Sequence, residues 1–152
     1  MHSLRIAAAA ILSSIMLCSE VLADTPQEQL NKRTVLEFYE LAFNARNFDA
    51  ASKHLGEKYV PHDPAMADGK EGLKRFIAEL QEKFPQSRRE VKRAMTDGDY
   101  VILQVHWMRT PGATGDVVGD IFRLEGGRIV EHWAVVHPIT EKPHPKNQNA
   151  VF

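Results

Sequence analysis

Apolar residues in this chain change their spacing once, at Pro85, and that change requires a two-part fold. Before Pro85 they recur at helical intervals. Leu30, Thr34, Phe38, Leu41, Ala42 and Ala45 form one stripe, and Leu73, Phe76, Ile77, Leu80 and Phe84 form another. After Pro85 they alternate, as in Tyr100-Val-Ile-Leu-Gln-Val-His-Trp-Met108 and in Ile129-Val-Glu-His-Trp-Ala-Val-Val-His137. Helices first and an antiparallel meander second is the pattern of an α+β domain.

Local signals set the boundaries. Thr25-Pro26-Gln27-Glu28 supplies a cap, a proline suited to the first helical position and the acid of a capping box, so a long helix runs from there to about Arg46. Asp49 starts a short second helix through Leu55, ending near Gly56. Residues 58–64 hold two prolines and read as extended. Asp68-Gly-Lys-Glu71 opens a third helix, which Pro85 stops. Strands follow over 87–96, 100–109, 116–124 and 128–137, with turns at Asp97-Gly98-Asp99 and Gly126-Gly127.

The ends are read separately. Arg5 and the apolar run Ile6–Leu17 resemble a targeting segment, with cleavage expected after Ala23. The apolar run is too short to span a bilayer. Cys18, the only cysteine, falls inside it, and Leu17 is too large for the residue that precedes a lipidated cysteine. The expected product is an exported, periplasmic or secreted protein without a stable membrane anchor. Its domain is 24–140, followed by a polar, proline-containing tail over 141–152. Without cysteine it needs neither a disulfide nor a thiol nucleophile. Its 19 Lys+Arg against 20 Asp+Glu give no nucleic-acid surface.

Three polar residues stand out in the apolar strands: Gln104, His106 and Asp120. An imidazole, an amide and a carboxylate facing one cavity would make a proton-transfer site. Burial would push a carboxyl at Asp120 toward the range useful for that work. Alternation puts Gln104 and His106 with Tyr100, Ile102 and Met108 on one side, and Val101, Leu103, Val105 and Trp107 on the other. Both sides are apolar, so both are expected to be covered. A two-residue turn at Gly126-Gly127 pairs Leu124 with Ile129, Phe122 with Glu131 and Asp120 with Trp133. Asp120, Phe122, Glu131, Trp133 and His137 then share a face, and Arg123, Val130 and His132 share the other. A bulge would shift this by one.

Two segments add a family likeness. Tyr59-Val-Pro-His62-Asp-Pro64 followed by Asp68-Gly-Lys-Glu-Gly72 resembles the helix-linking segment of SnoaL-like proteins, and Gly119-Asp-Ile-Phe-Arg-Leu-Glu-Gly-Gly-Arg-Ile-Val-Glu-His-Trp133 resembles their strand pair. The resemblance implies an NTF2-like cone, a curved antiparallel sheet wrapped around three N-terminal helices, with an apolar pocket and a homodimer through the outer sheet face. It also implies Asp120 as acid/base in an aldol closure, with Gln104 and His106 beside the substrate. This chain has Ala134 and His137 where relatives commonly carry Asp and Gln.

The resulting expectation is proton abstraction alpha to a carbonyl, in a small hydrophobic carbonyl compound, with Asp120, His106 and Gln104 catalytic. His62 would form the pocket rim or a surface loop. Trp133, Phe122 and Tyr39 would form apolar wall or plain core, and Glu131 and His137 would complete the substrate site. No cofactor is expected. No His-x-His or His-x3-His spacing in the mature domain suggests a metal, and no Gly-x-Ser-x-Gly elbow suggests a serine hydrolase. Arg88, Arg89, Lys92 and Arg93 read as a solvated strand edge rather than an anion site. A non-catalytic metabolite binder and a dimeric module with a vestigial pocket are the alternatives.

Overall fold

A computed structural model describes residues 23–140 and 149–152. All but Ala23 of the expected targeting segment, Cys18 included, and residues 141–148 of the expected tail lie outside the described residues.

Helix α1 is Pro26–Tyr39, and its expected capping box is present. Glu28 accepts from the backbone and hydroxyl of Thr25, and its second oxygen accepts from the Gly98 backbone N–H, tying the helix start to a strand turn. The helix was expected to run unbroken to Arg46. Instead it widens into a π-helical turn at Glu40–Asn44, and Arg46 closes it with φ of 58°. Such single π turns favour functional positions because they re-aim the side chains beside them. Helix α2 is Phe48–Ala51, continued by a tight turn at Ser52–His54. Strand β1, Leu55–Pro61, takes the place of the expected helix end and of part of the extended segment. Helix α3 is Gly69–Lys83. Gly72 is required there, since an added Cβ would stand 1.8 Å from the Ala67 carbonyl oxygen.

The other strands are β2 (Arg88–Asp97), β3 (Tyr100–Met108), β4 (Asp116–Glu125) and β5 (Arg128–Pro138). The sheet order is β1-β5-β4-β3-β2, antiparallel except that β1 lies parallel to β5. Gly126 and Gly127, both at positive φ, make the expected tight turn between β4 and β5.

The helices cover one face of the sheet. Val101, Leu103, Val105 and Trp107 of β3 point into that core, against Val35, Phe38, Tyr39 and Ala42 of the first helical segment and Leu73 and Ile77 of α3. The other face carries Ile102, Ile121, Trp133 and Val135 and is partly exposed, Val135 to 71%.

Candidate active site

A β-bulge decides which residues meet. Leu124 pairs with Ile129 as the turn dictates, but Arg123 then pairs with Glu131, so Val130 is an extra residue in β5. From there the register is one residue off the simple alternation. Phe122 faces His132, and Asp120 faces Ala134. The bulge needs room, and Gly56 of β1 provides it: an added Cβ would stand 2.7 Å from Val130 Cγ1 and 3.4 Å from the Lys58 carbonyl oxygen. Valine is stiff at χ1 and cannot swing clear cheaply. Gly56→Ala is therefore expected to cost about 1–3 kcal/mol, read as a lower urea midpoint with an unchanged slope. An unaltered midpoint would show that the bulge does not depend on this contact.

With that register, Asp120 and His132 lie on the core face. His132 Nε2 is 2.9 Å from Asp120 Oδ1, and the Tyr39 hydroxyl donates to Asp120 Oδ2 at 2.6 Å. Arg89 Nη1 in turn donates to the Tyr39 oxygen at 2.9 Å. With Asp120 ionised and His132 neutral, this contact puts the ring proton on Nε2 and the lone pair on Nδ1. His132 Nδ1 is buried and has no partner among the described residues. The imidazole stacks on Phe122, with centroids 4.6 Å apart, and the Phe122 ring meets Phe38 and Tyr39 edge-on.

These groups stand at a narrow cavity between the helices and the sheet, about 60 Å³ in volume. Its wall is mostly apolar, with Phe38, Met66, Phe76, Trp107, Phe122 and Val136 among the lining side chains. Asp120, His132, Tyr59, Arg89 and Asp63 supply the polar groups. The Tyr59 hydroxyl is a second buried atom without a partner among the described residues, in a side chain whose residue is 4% exposed. Burial pushes its pKa up, and the charges of Asp120 and Asp63 push it further. Burial likewise raises Tyr39 well above the ordinary phenol value, so both tyrosines keep their protons, and Tyr39 donates its own to Asp120. Among the described residues no group of three or more His, Cys, Asp or Glu side chains could hold a metal ion.

The expected site residues divide between the two faces. Asp120 and Phe122 line the cavity, and Tyr39 lies behind it as the phenol donor to Asp120. Gln104 and His106 do not join them. They pair with Gly119 and Val117 and therefore point to the outer face, opposite Asp120. Gln104 accepts from Arg93 at 2.5 Å, and His106 Nε2 lies 2.7 Å from the Thr114 carbonyl oxygen. Their face was misread because both sides of β3 are apolar enough to be interior.

The bulge corrects the β5 residues in the same way. Glu131, Trp133 and His137 pair with Arg123, Ile121 and Val117, all on the outer face. Glu131 is bonded to Arg123 and His62, and Arg123 first, with His62 adding, holds its carboxyl below the usual range. His62 stacks on Trp133 with ring centroids 4.4 Å apart and is not at the cavity rim.

Four polar cavity residues were not anticipated as site groups: His132, Tyr59, Arg89 and Asp63. His132 was assigned to the opposite face for want of the bulge. Arg89 was taken for a solvated edge residue, yet it pairs with Trp107 and points inward. The alternation Arg88-Arg89-Glu90-Val91 carried that signal, since Arg89 and Val91 share a face. Ala134, opposite Asp120, also lines the cavity. An acid there would set a second carboxylate beside Asp120; the alanine leaves Asp120 to Tyr39 and His132.

Comparison with known proteins gives a consistent picture. Residues 35–132 match the family model described as a SnoaL-like domain. No curated protein is a significant match to the chain. Among solved structures, a provisionally named SnoaL-like polyketide cyclase from Jannaschia sp. CCS1 is 21% identical, with TM-score 0.65 over 76% of this chain and 90% of that one. A provisionally named polyketide cyclase from Bacillus cereus ATCC 10987 is 18% identical, with TM-score 0.62 over 70% and 74% of the two chains. An NTF2-like protein of unknown function from Cytophaga hutchinsonii ATCC 33406 is 24% identical, with TM-score 0.56 over 71% and 90%. At these identities the likeness establishes the fold, the open NTF2-like cone.

Proposed function

The chain belongs to the SnoaL-like domain family, and from that premise we propose that its cavity performs acid–base chemistry on a small, largely apolar carbonyl compound. The reaction is removal of a proton alpha to the carbonyl, leading to aldol closure or isomerisation. One observation carries this reading: Asp120 fixes the ring of His132 from one side while Nδ1, the remaining basic nitrogen, is buried without a partner at an apolar cavity.

The steps follow from the groups present. His132 Nδ1 takes the alpha proton, and the C–H electron pair becomes the carbon–carbon double bond of an enolate. Asp120 stabilises the imidazolium that forms. The Tyr59 hydroxyl, kept protonated by its surroundings, donates to the enolate oxygen. The enolate carbon then attacks a second carbonyl, whose oxygen takes the proton back from His132, or the proton returns from His132 to a different carbon. Tyr39 holds the other oxygen of Asp120 and so fixes the whole set. This revises the sequence expectation. Asp120 orients and balances charge, His132 moves the proton, and the outward-facing Gln104 and His106 take no part.

The test needs no knowledge of the natural substrate. In deuterium oxide the protein should speed exchange of the alpha protons of 2-tetralone and 1-indanone above the buffer rate, followed by proton NMR. Ketones that bind, shown by saturation transfer, yet exchange only at the buffer rate would refute catalysis and leave a binding pocket.

A further inference from the structure

We infer that the natural ligand of the cavity is an anion, a carbonyl compound bearing a carboxylate that pairs with Arg89. The inference rests on the cavity being a small-molecule site, as proposed above, and adds the chemical class of that molecule.

Arg89, partly buried at the cavity, is an arginine without an acidic partner among the described residues. Among the described residues no carboxylate oxygen lies within 4.0 Å of its guanidinium. Of its side-chain N–H donors, one reaches a protein acceptor, the Tyr39 oxygen. Two other partly buried arginines are paired. Arg109 also lies over Trp107, at 4.5 Å from the ring centroid, and it holds Asp116 at 2.9 Å. Arg123 is shared by Glu125 and Glu131. Arg89 alone of the three faces the cavity.

Its position is prepared on every side. The guanidinium carbon lies 3.9 Å from the Phe43 ring centroid and 4.7 Å from that of Trp107, contacts that hold the planar group and keep water from its faces. Its backbone is clamped by one side chain: Arg89 N–H donates to Asn44 Oδ1 at 2.9 Å, and Asn44 Nδ2 donates to the Arg89 carbonyl at 2.9 Å. Asn44 is the last residue of the π turn that follows Tyr39. The irregular helix end therefore sets both the phenol and the arginine.

A planar, pre-oriented guanidinium with unused parallel donors matches a carboxylate. Asp63 and Asp120 line the same cavity and repel anions, so Arg89 defines where a ligand carboxylate can sit. It also sets the reacting carbon. Arg89, the Tyr39 oxygen, Asp120 and His132 form one chain of contacts of 2.9, 2.6 and 2.9 Å, so a ligand anchored at Arg89 extends along the cavity that His132 also lines.

Binding can be tested apart from turnover with an unreactive matched pair, 3-phenylpropanoate and 3-phenylpropanamide, titrated calorimetrically into the full domain. The carboxylate should bind about tenfold tighter than the amide. The preference should vanish in Arg89→Gln, persist in part in Arg89→Lys and persist in Arg93→Gln, whose side chain bonds Gln104 on the outer face, with thermal melts confirming that each variant folds. If Arg89→Gln does not fold, Arg89→Lys decides through a weakened but salt-sensitive preference. Equal binding of the two probes, binding of neither, or a preference that survives Arg89→Gln would overturn the inference. Loss of ketone exchange with the preference intact would refute only the catalytic reading.

Discussion

Asp120→Asn is expected to lower catalysed ketone exchange by roughly 10³–10⁴-fold while the domain still folds. The His132 tautomer decides the outcome. Arg89 only donates to the Tyr39 oxygen, so the Tyr39 proton must be accepted by position 120. An asparagine meets that demand with its carbonyl oxygen, which turns its NH₂ toward His132. Nε2 must then accept, the ring proton moves to Nδ1, and the base at the cavity is lost. The hydrogen bonds are kept in number, so the melting temperature should shift by no more than ~5 °C. Retained exchange in a folded Asp120→Asn variant would mean that His132 does not depend on Asp120 for its basic nitrogen.

Phe122→Ala should produce the largest loss of stability. The ring is 1% exposed and touches three aromatic neighbours, Phe38 and Tyr39 edge-on and His132 face-on. Truncation removes that burial and leaves a void bounded by β-strand and helix backbone that cannot close over it. The expected cost is about 3–5 kcal/mol, a fall in melting temperature of roughly 10–20 °C. Phe122→Leu should lose much less, since most of the volume is kept. A Phe122→Ala loss below about 1 kcal/mol would show that the cavity collapses around the site. In that case the site would be softer than its packing suggests.

The architecture was legible because the features that specify it are local. Pro85 marks the change of period, Thr25 and Glu28 cap the first helix, and two glycines fix the last turn. The site was less legible because its determinants are distant in sequence. Ile129 and Val130 are both apolar, so either could be the inward residue, and only Gly56, on a strand formed much earlier in the chain, makes the bulge at Val130 possible. The bulge carries His132 to the core and Trp133 out of it. On β3 the pattern told which residues share a face and not which face the helices cover. The side holding Gln104 and His106 looked interior because it holds polar groups of catalytic type, whereas Leu103, Val105 and Trp107 are the ones the helices bury. Arg89 was hidden by its basic neighbours, where charge outweighed alternation as a cue. Asp120 lines the cavity, as its place in the strand suggested; Tyr39, expected as wall or core, is its donor, and His132 was expected on the opposite face.

The central claim is that Asp120 holds His132 with its proton on Nε2 and its lone pair on Nδ1 at the cavity. Nitrogen-15 chemical shifts of the His132 ring, assigned by comparison with His132→Gln, measure this directly in the folded protein. A protonated Nε2 and an unprotonated Nδ1 are expected, exchanging places in Asp120→Asn. A wild-type ring with its proton on Nδ1, or one whose tautomer is unchanged by Asp120→Asn, would contradict it.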